Sequence, residues 1–124
     1  MKKILLALPL LALFISCSPR LPPCDATNAT NLVQELADEE LAKQIGAEYA
    51  SNFVFSVNMI RTTHKNSQTG ALQCAAVLLA KDLTDSDNKK GIPITYTIEL
   101  LDDGKTPYVS VGGLATLPYY MGLY

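Results

Sequence analysis

Histidine is nearly absent from this chain: His64 is the only one among 124 residues. General-base chemistry needs an imidazole beside a nucleophile or substrate hydroxyl, with a carboxylate to orient it. No Ser or Cys motif surrounds His64, which closes an extended segment just before a polar turn, so it reads as a solvated turn residue. A glycine-rich phosphate cradle is also missing, Gly112-Gly113 being more simply the end of a strand. Charged residues are sparse, 18% of the chain with a net of −2, which argues against a nucleic-acid surface and against long-range steering of a partner. No apolar run reaches the ~18 residues a membrane span requires. What remains is the composition of a globular protein, 48% apolar, with a length that allows one core.

The N-terminus reads as a secretory leader over residues 1–16. Lys2-Lys3 form its positive end, and Ile4 to Ile15 form an apolar segment of about a dozen residues, the length of a signal rather than of a span. The leader ends in Leu13-Phe14-Ile15-Ser16-Cys17, which resembles the lipobox of bacterial lipoproteins, with Phe14 standing where that family usually has leucine. The resemblance covers only the leader and its cysteine. It implies cleavage before Cys17, acylation of Cys17, and a membrane partner reached through two or three acyl chains, enough for lasting attachment. Ser18 stands where aspartate retains such proteins in the inner membrane of enteric bacteria, so the resemblance favours the outer membrane. There are three cysteines, an odd number in an exported chain. With Cys17 acylated, Cys24 and Cys74 remain as the pair expected to oxidise in a periplasm, closing a loop of about 50 residues.

By that resemblance residues 17–23 are the acylated cysteine and a proline-rich tether, and residues 24–124 are expected to form a single domain. From Asp25 to Ala47 the apolar positions Ala29, Leu32, Val33, Leu36, Leu41 and Ile45 recur at mostly three-, four- and five-residue steps, the mark of an amphipathic helix. Asp25 and Thr27 are candidate N-caps and Gly46 a candidate terminator. The step from Leu36 to Leu41 leaves two readings, one helix or two with Asp38 capping the second. The cluster Asp38-Glu39-Glu40 is expected to be a solvated face, since consecutive helical residues point in different directions.

Four strand-like runs follow. Phe53 to Thr63 alternates, placing Phe53, Phe55, Val57 and Met59 on the core side. After the turn Lys65 to Gly70, Ala71 to Lys81 is apolar on both sides toward its end. Asp82 to Gly91 reads as a charged loop; its carboxylates Asp82, Asp85 and Asp87 lack the glycine and terminal glutamate of a calcium loop, and Lys89 and Lys90 oppose a cation. Ile92 to Leu100 alternates most cleanly. Asp102-Asp103-Gly104-Lys105 signals a hairpin, and Tyr108 to Val111 is the fourth strand. Short connections make consecutive strands antiparallel neighbours. The expected fold is therefore α+β, a four-stranded antiparallel meander with an N-terminal helix across one face, similar in plan only to cystatin-like rolls.

One histidine and a consumed cysteine pair leave too few ligands for zinc, and no cofactor is implied. The tail, Leu114 to Tyr124, carries Tyr119, Tyr120, Met121 and Tyr124, a composition of interface cores. It either closes the core or docks a partner. The function expected is a non-catalytic binding module on a lipid anchor, an accessory subunit or inhibitor acting on an envelope protein. The alternatives are a structural envelope role and a hydrolase built on His64.

Overall fold

The computed structural model describes residues 21–123; the leader, Cys17 and Tyr124 lie outside them. The first element is a single helix, α1, Thr27–Ile45. Its buried residues are Ala29, Val33, Ala37 and Leu41, spaced by four throughout, so one narrow stripe faces the sheet. Val33 and Leu41 are fully buried, worth about 1.5–3 kcal/mol each, while the two alanines let the helix approach closely. Leu32, assigned to the stripe by its spacing, is instead 40% exposed, and Ala37 takes the place between Val33 and Leu41. The helix runs through Asp38 without a break, so Asp38 is not a cap. Neither Asp25 nor Thr27 caps the start: the boundary residue is Ala26, whose N–H donates to the Pro23 carbonyl at 3.0 Å. Gly46 does end the helix. Its φ of 92° lies where a side chain is strained, and its N–H closes on the Ala42 carbonyl. One further turn, α2, Ala47–Ala50, leads into the sheet.

The sheet is a meander in the order β1-β2-β3-β4, all antiparallel: β1 Phe53–Lys65, β2 Leu72–Asp82, β3 Asp85–Leu100, β4 Pro107–Gly112. Helix α1 packs across one face, chiefly over β1 and β4. That face supplies Phe53 and Phe55 from β1, Cys74, Ala76, Leu78 and Ala80 from β2, Ile92, Ile94, Tyr96 and Ile98 from β3, and Val109 from β4. The expected α+β meander is thus the fold, with two differences in its strands. Met59 does not continue the core face of β1. Between Asn58 and Arg61 the strand gains one residue against β2, and Met59 sits at this bulge with φ 53° and 71% of its surface exposed. The bulge reverses the alternation, so Ile60 packs against the core in its place.

The second difference lies in β3, which begins seven residues before Ile92. Asp85 to Gly91 is strand rather than loop, and the β2–β3 reversal shrinks to Leu83-Thr84. Asp82 makes this possible, because one carboxylate oxygen accepts both the Thr84 N–H (2.8 Å) and the Thr84 hydroxyl (2.6 Å). The remaining turns are those expected. Asn66 Oδ1 accepts the N–H groups of Gln68 and Thr69 in the first hairpin. Asp103 accepts from Lys105 and Thr106 in the third, where Gly104 adopts φ 71°.

Cys24 and Cys74 are joined in a disulfide, both side chains buried. The residues around it form one cross-strand row, Thr62 on β1, Cys74 on β2 and Tyr96 on β3. Thr62 Oγ1 donates to Cys24 Sγ at 3.3 Å, and the buried Tyr96 hydroxyl donates to the Cys24 carbonyl at 2.6 Å. Three strands therefore grip the one residue that leads into α1.

Candidate functional site

The chain leaves β4 through Gly113, whose φ of 98° turns it back across the sheet; a Cβ there would stand 3.2 Å from the Pro93 carbonyl oxygen. A 3-10 turn, Leu114–Thr116, is followed by a short helix, α3, Leu117–Tyr120, with proline in its first turn. Met121 N–H donates to the Leu117 carbonyl and Leu123 N–H to the Pro118 carbonyl, both at 2.9 Å, so the tail folds on itself. Leu117 and Met121, four residues apart, point together into the core, and Pro118 is buried beside them. Tyr119 and Tyr120 point the other way, 74% and 44% exposed, with their rings edge to face at 5.8 Å. The tail thus closes the core with one side and leaves two tyrosines in water on the other. Met121 is core, 3% exposed, and is withdrawn from the docking set because the i, i+4 step carries it to the Leu117 side. Tyr119 and Tyr120 form an aromatic projection on a rooted base, and Tyr124 lies outside the described residues.

His64 stands exposed near the end of β1, past a second irregularity at Thr63, and pairs across the strands with Gln73. Thr63 Oγ1 donates to the Gln73 carbonyl at 3.1 Å. Its strand neighbours are Thr63 and Lys65, so neither they nor Gln73 provides a carboxylate to orient the imidazole. Among the described residues, no group of three or more His, Cys, Asp or Glu side chains is placed to hold a metal ion.

The carboxylates have structural work. Hydrogen bonds from Thr84, chiefly from its hydroxyl, hold the Asp82 carboxyl below the usual carboxylate range, and those from Thr106 and Lys105 do the same for Asp103. On α1, partial burial raises the Asp38 carboxyl, with the Glu35 charge adding to it. Glu40 accepts from Gln44 Nε2 at 3.1 Å and lies 4.0 Å from Lys43 Nζ, a solvated helical face as expected.

A shallow groove of about 190 Å³ runs between α1 and β4, lined by Leu36, Glu40, Lys43, Tyr108, Val111 and Leu114. It is smaller than the ~300–1,000 Å³ of small-molecule sites, whereas wider hollows of about 770 Å³ at the α1–α2 junction, beside Ile45, Gly46 and Tyr49, and of about 610 Å³ at the β3–β4 turn, beside Leu101 and Tyr108, fall within that range and are open to solvent. The exposed tyrosines of the tail are the surface candidate. No protein-family model matches the chain, and neither a curated protein nor a solved structure is significantly similar to it.

Spacing alone did not separate the tail into core and surface, although Leu117 and Met121 at i, i+4 carried that signal. A second surface, the sheet face opposite α1, went unassigned. Its signal was the double-sided apolar pattern of β2, where Val77 and Leu79 lie on that face and remain half-buried.

Proposed function

We propose that the chain is an envelope lipoprotein, anchored through an acylated Cys17 in the outer membrane, whose domain binds another envelope protein and performs no catalysis. The observation that carries the binding role is the pair Tyr119 and Tyr120, exposed and held rigidly by buried Leu117, Pro118 and Met121. Tyrosine is enriched in interface cores and binding hot spots, because it offers a large amphipathic surface at low cost in side-chain entropy. A preformed aromatic projection suits an accessory subunit or an inhibitor that plugs a partner's hollow. The lipobox-like leader and the short proline tether support the anchor.

The test is affinity capture from detergent-solubilised envelope with the wild-type chain and a Tyr119→Ser/Tyr120→Ser variant. Both side chains are exposed, so the variant should keep the wild-type circular dichroism and urea midpoint. A specific partner should be recovered with wild type and depleted at least tenfold with the variant. Equal recovery would sink the assignment of the tyrosines. Intact mass of the protein extracted from membranes should give a chain beginning at an acylated Cys17; any other first residue refutes the anchor.

A further inference from the structure

We infer that the uncovered face of the sheet, opposite α1, lies against an anionic lipid surface. Strand register defines this face row by row: Val54, Lys81 and Lys89; Ser56, Leu79 and Gly91; Asn58, Val77 and Pro93; Arg61, Ala75, Thr95 and Gly112. Its middle is low in relief. Gly91 and Gly112 cannot take a side chain without crowding, since a Cβ would lie 3.1 Å from Val77 Cγ1 at the first and 3.1 Å from Thr95 Oγ1 at the second. Around this flat centre are apolar groups in water, Val54 at 48% exposure and Met59 at 71%.

Charge selects the occupant. The face carries Arg61, Lys81 and Lys89 against the carboxylates Glu99 and Asp87, the latter two residues before Lys89 on the same side of β3, all exposed. The helix layer behind it has the opposite sign, with Glu35, Asp38, Glu39 and Glu40 set against Lys43. A second copy packed face to face would bring two basic surfaces together, which like-charge repulsion opposes. A flat anionic surface fits the basic face and repels the acidic helix, so attraction and repulsion fix the same orientation. Phosphate-bearing lipid headgroups supply that surface, and the proposal rests on the anchoring through Cys17, which keeps the domain within about 20 Å of the headgroups. Each basic residue at such a surface multiplies affinity roughly fivefold. Three, offset by Glu99 and Asp87, favour the oriented state by about fivefold at low salt, and the preference fades as salt screens it.

Lysine footprinting tests this on the anchored full chain, reconstituted in vesicles of phosphatidylglycerol and phosphatidylethanolamine or of phosphatidylcholine alone. Acetylation rates are read residue by residue by mass spectrometry, with a lysine-containing peptide free in the same solution as the reference and Lys43 on α1 as the probe of the helix face. Lys81 and Lys89 should react about fivefold more slowly on the anionic vesicles only, and 0.5 M salt should abolish the difference. Replacing Arg61, Lys81 and Lys89 by Gln should remove the preference of the helix face for solvent, read by Lys43 reactivity. Equal rates for Lys81 and Lys89 on both vesicles, or protection of Lys43 instead, would overturn the proposal. So would protection that needs an added envelope extract, which would mark the face as a protein interface. Flotation and intact mass report the anchor separately. A chain lacking the lipid refutes the anchoring, and the same footprint on vesicles with that chain added from solution still decides the surface.

Discussion

Removing the Cys24–Cys74 bridge should cost this domain a large part of its stability. The two cysteines are 50 residues apart in sequence, so the bridge closes a loop of about that length in the unfolded chain. In the chain-entropy model such a loop removes about 14 cal/mol/K from the denatured ensemble, or about 4 kcal/mol at 25 °C. Domains of this size are stable by only about 5–15 kcal/mol. The Cys24→Ala/Cys74→Ala variant should lose at least that amount, since it also empties sulfur from two sites 2% and 1% exposed. The measurement is urea unfolding followed by circular dichroism, comparing extrapolated free energies rather than midpoints, because an uncrosslinked denatured state exposes more surface and steepens the transition. Thermal midpoints should fall by roughly 16 °C or more. The first amide to lose protection from hydrogen exchange should be that of Ala26, whose bond to the Pro23 carbonyl lies in the segment the bridge pins. A loss below about 1 kcal/mol would refute the reasoning. It would mean that the Tyr96 bond to the backbone carbonyl of residue 24 holds this segment unaided, or that the denatured chain is already compact.

Four further outcomes are expected. Leu41→Ala should destabilise by about 2–5 kcal/mol in urea, and Leu32→Ala by less than about 0.5, because only Leu41 lies on the buried stripe of α1. Tyr96→Phe should cost about 1–3 kcal/mol by orphaning the Cys24 carbonyl. Burial raises the Tyr96 phenol above its ordinary value, with the Asp25 charge contributing; its stabilisation is therefore complete below about pH 10 and lost as pH climbs toward the folded value, a decline the Phe variant should lack in alkaline unfolding curves. Met59→Gly should be neutral or stabilising and Met59→Val destabilising by about 1–2 kcal/mol, since φ is 53° at the bulge and a β-branched residue resists it. Asp82 and Asp103 are held below the usual range, so their share of stability is present above about pH 4 and disappears as pH falls through their folded values; carboxyl-carbon NMR should place both midpoints below the ordinary aspartate value of about 3.9.

Much of this fold could be read from alternation and turn chemistry, and the failures have local physical causes. The Asp103-Gly104 reversal and the Asn66 turn were legible because side-chain oxygens bonding backbone N–H groups two or three residues on leave a compositional trace. The same chemistry at Asp82 was missed because Asp85 to Lys90 is too polar to suggest a strand. Register against β2, a non-local property, made it one. Met59 was misplaced because a bulge shifts phase without any marker in composition, and here not even a glycine occupies the positive φ. On α1 the apolar spacing pointed to Leu32, yet the contact line ran through Ala37, where a small side chain meets the sheet. Of the candidate site, the tail's aromatic content was visible. Its division into core and surface depended on where Gly113 sent the chain.

An antiparallel sheet covered on one side ordinarily presents polar residues to water on the other, and β3 obeys with Thr95, Thr97 and Glu99 opposite Ile94, Tyr96 and Ile98. The departure is confined to the β1–β2 side, where Val54, Val77 and Leu79 share the outer face and the bulge throws Met59 into solvent nearby. Packing within the domain does not require these residues, because α1 lies on the opposite face. Nor does strand propensity, which threonine would satisfy as well as valine. The bulge also sets Arg61 on the outer face in the row beyond Asn58, while Lys81 and Lys89 close the other end of the patch. An apolar strip bracketed by basic residues, backed by a helix layer of the opposite charge, is an arrangement that folding alone leaves unexplained. A surface on which the domain rests would account for it.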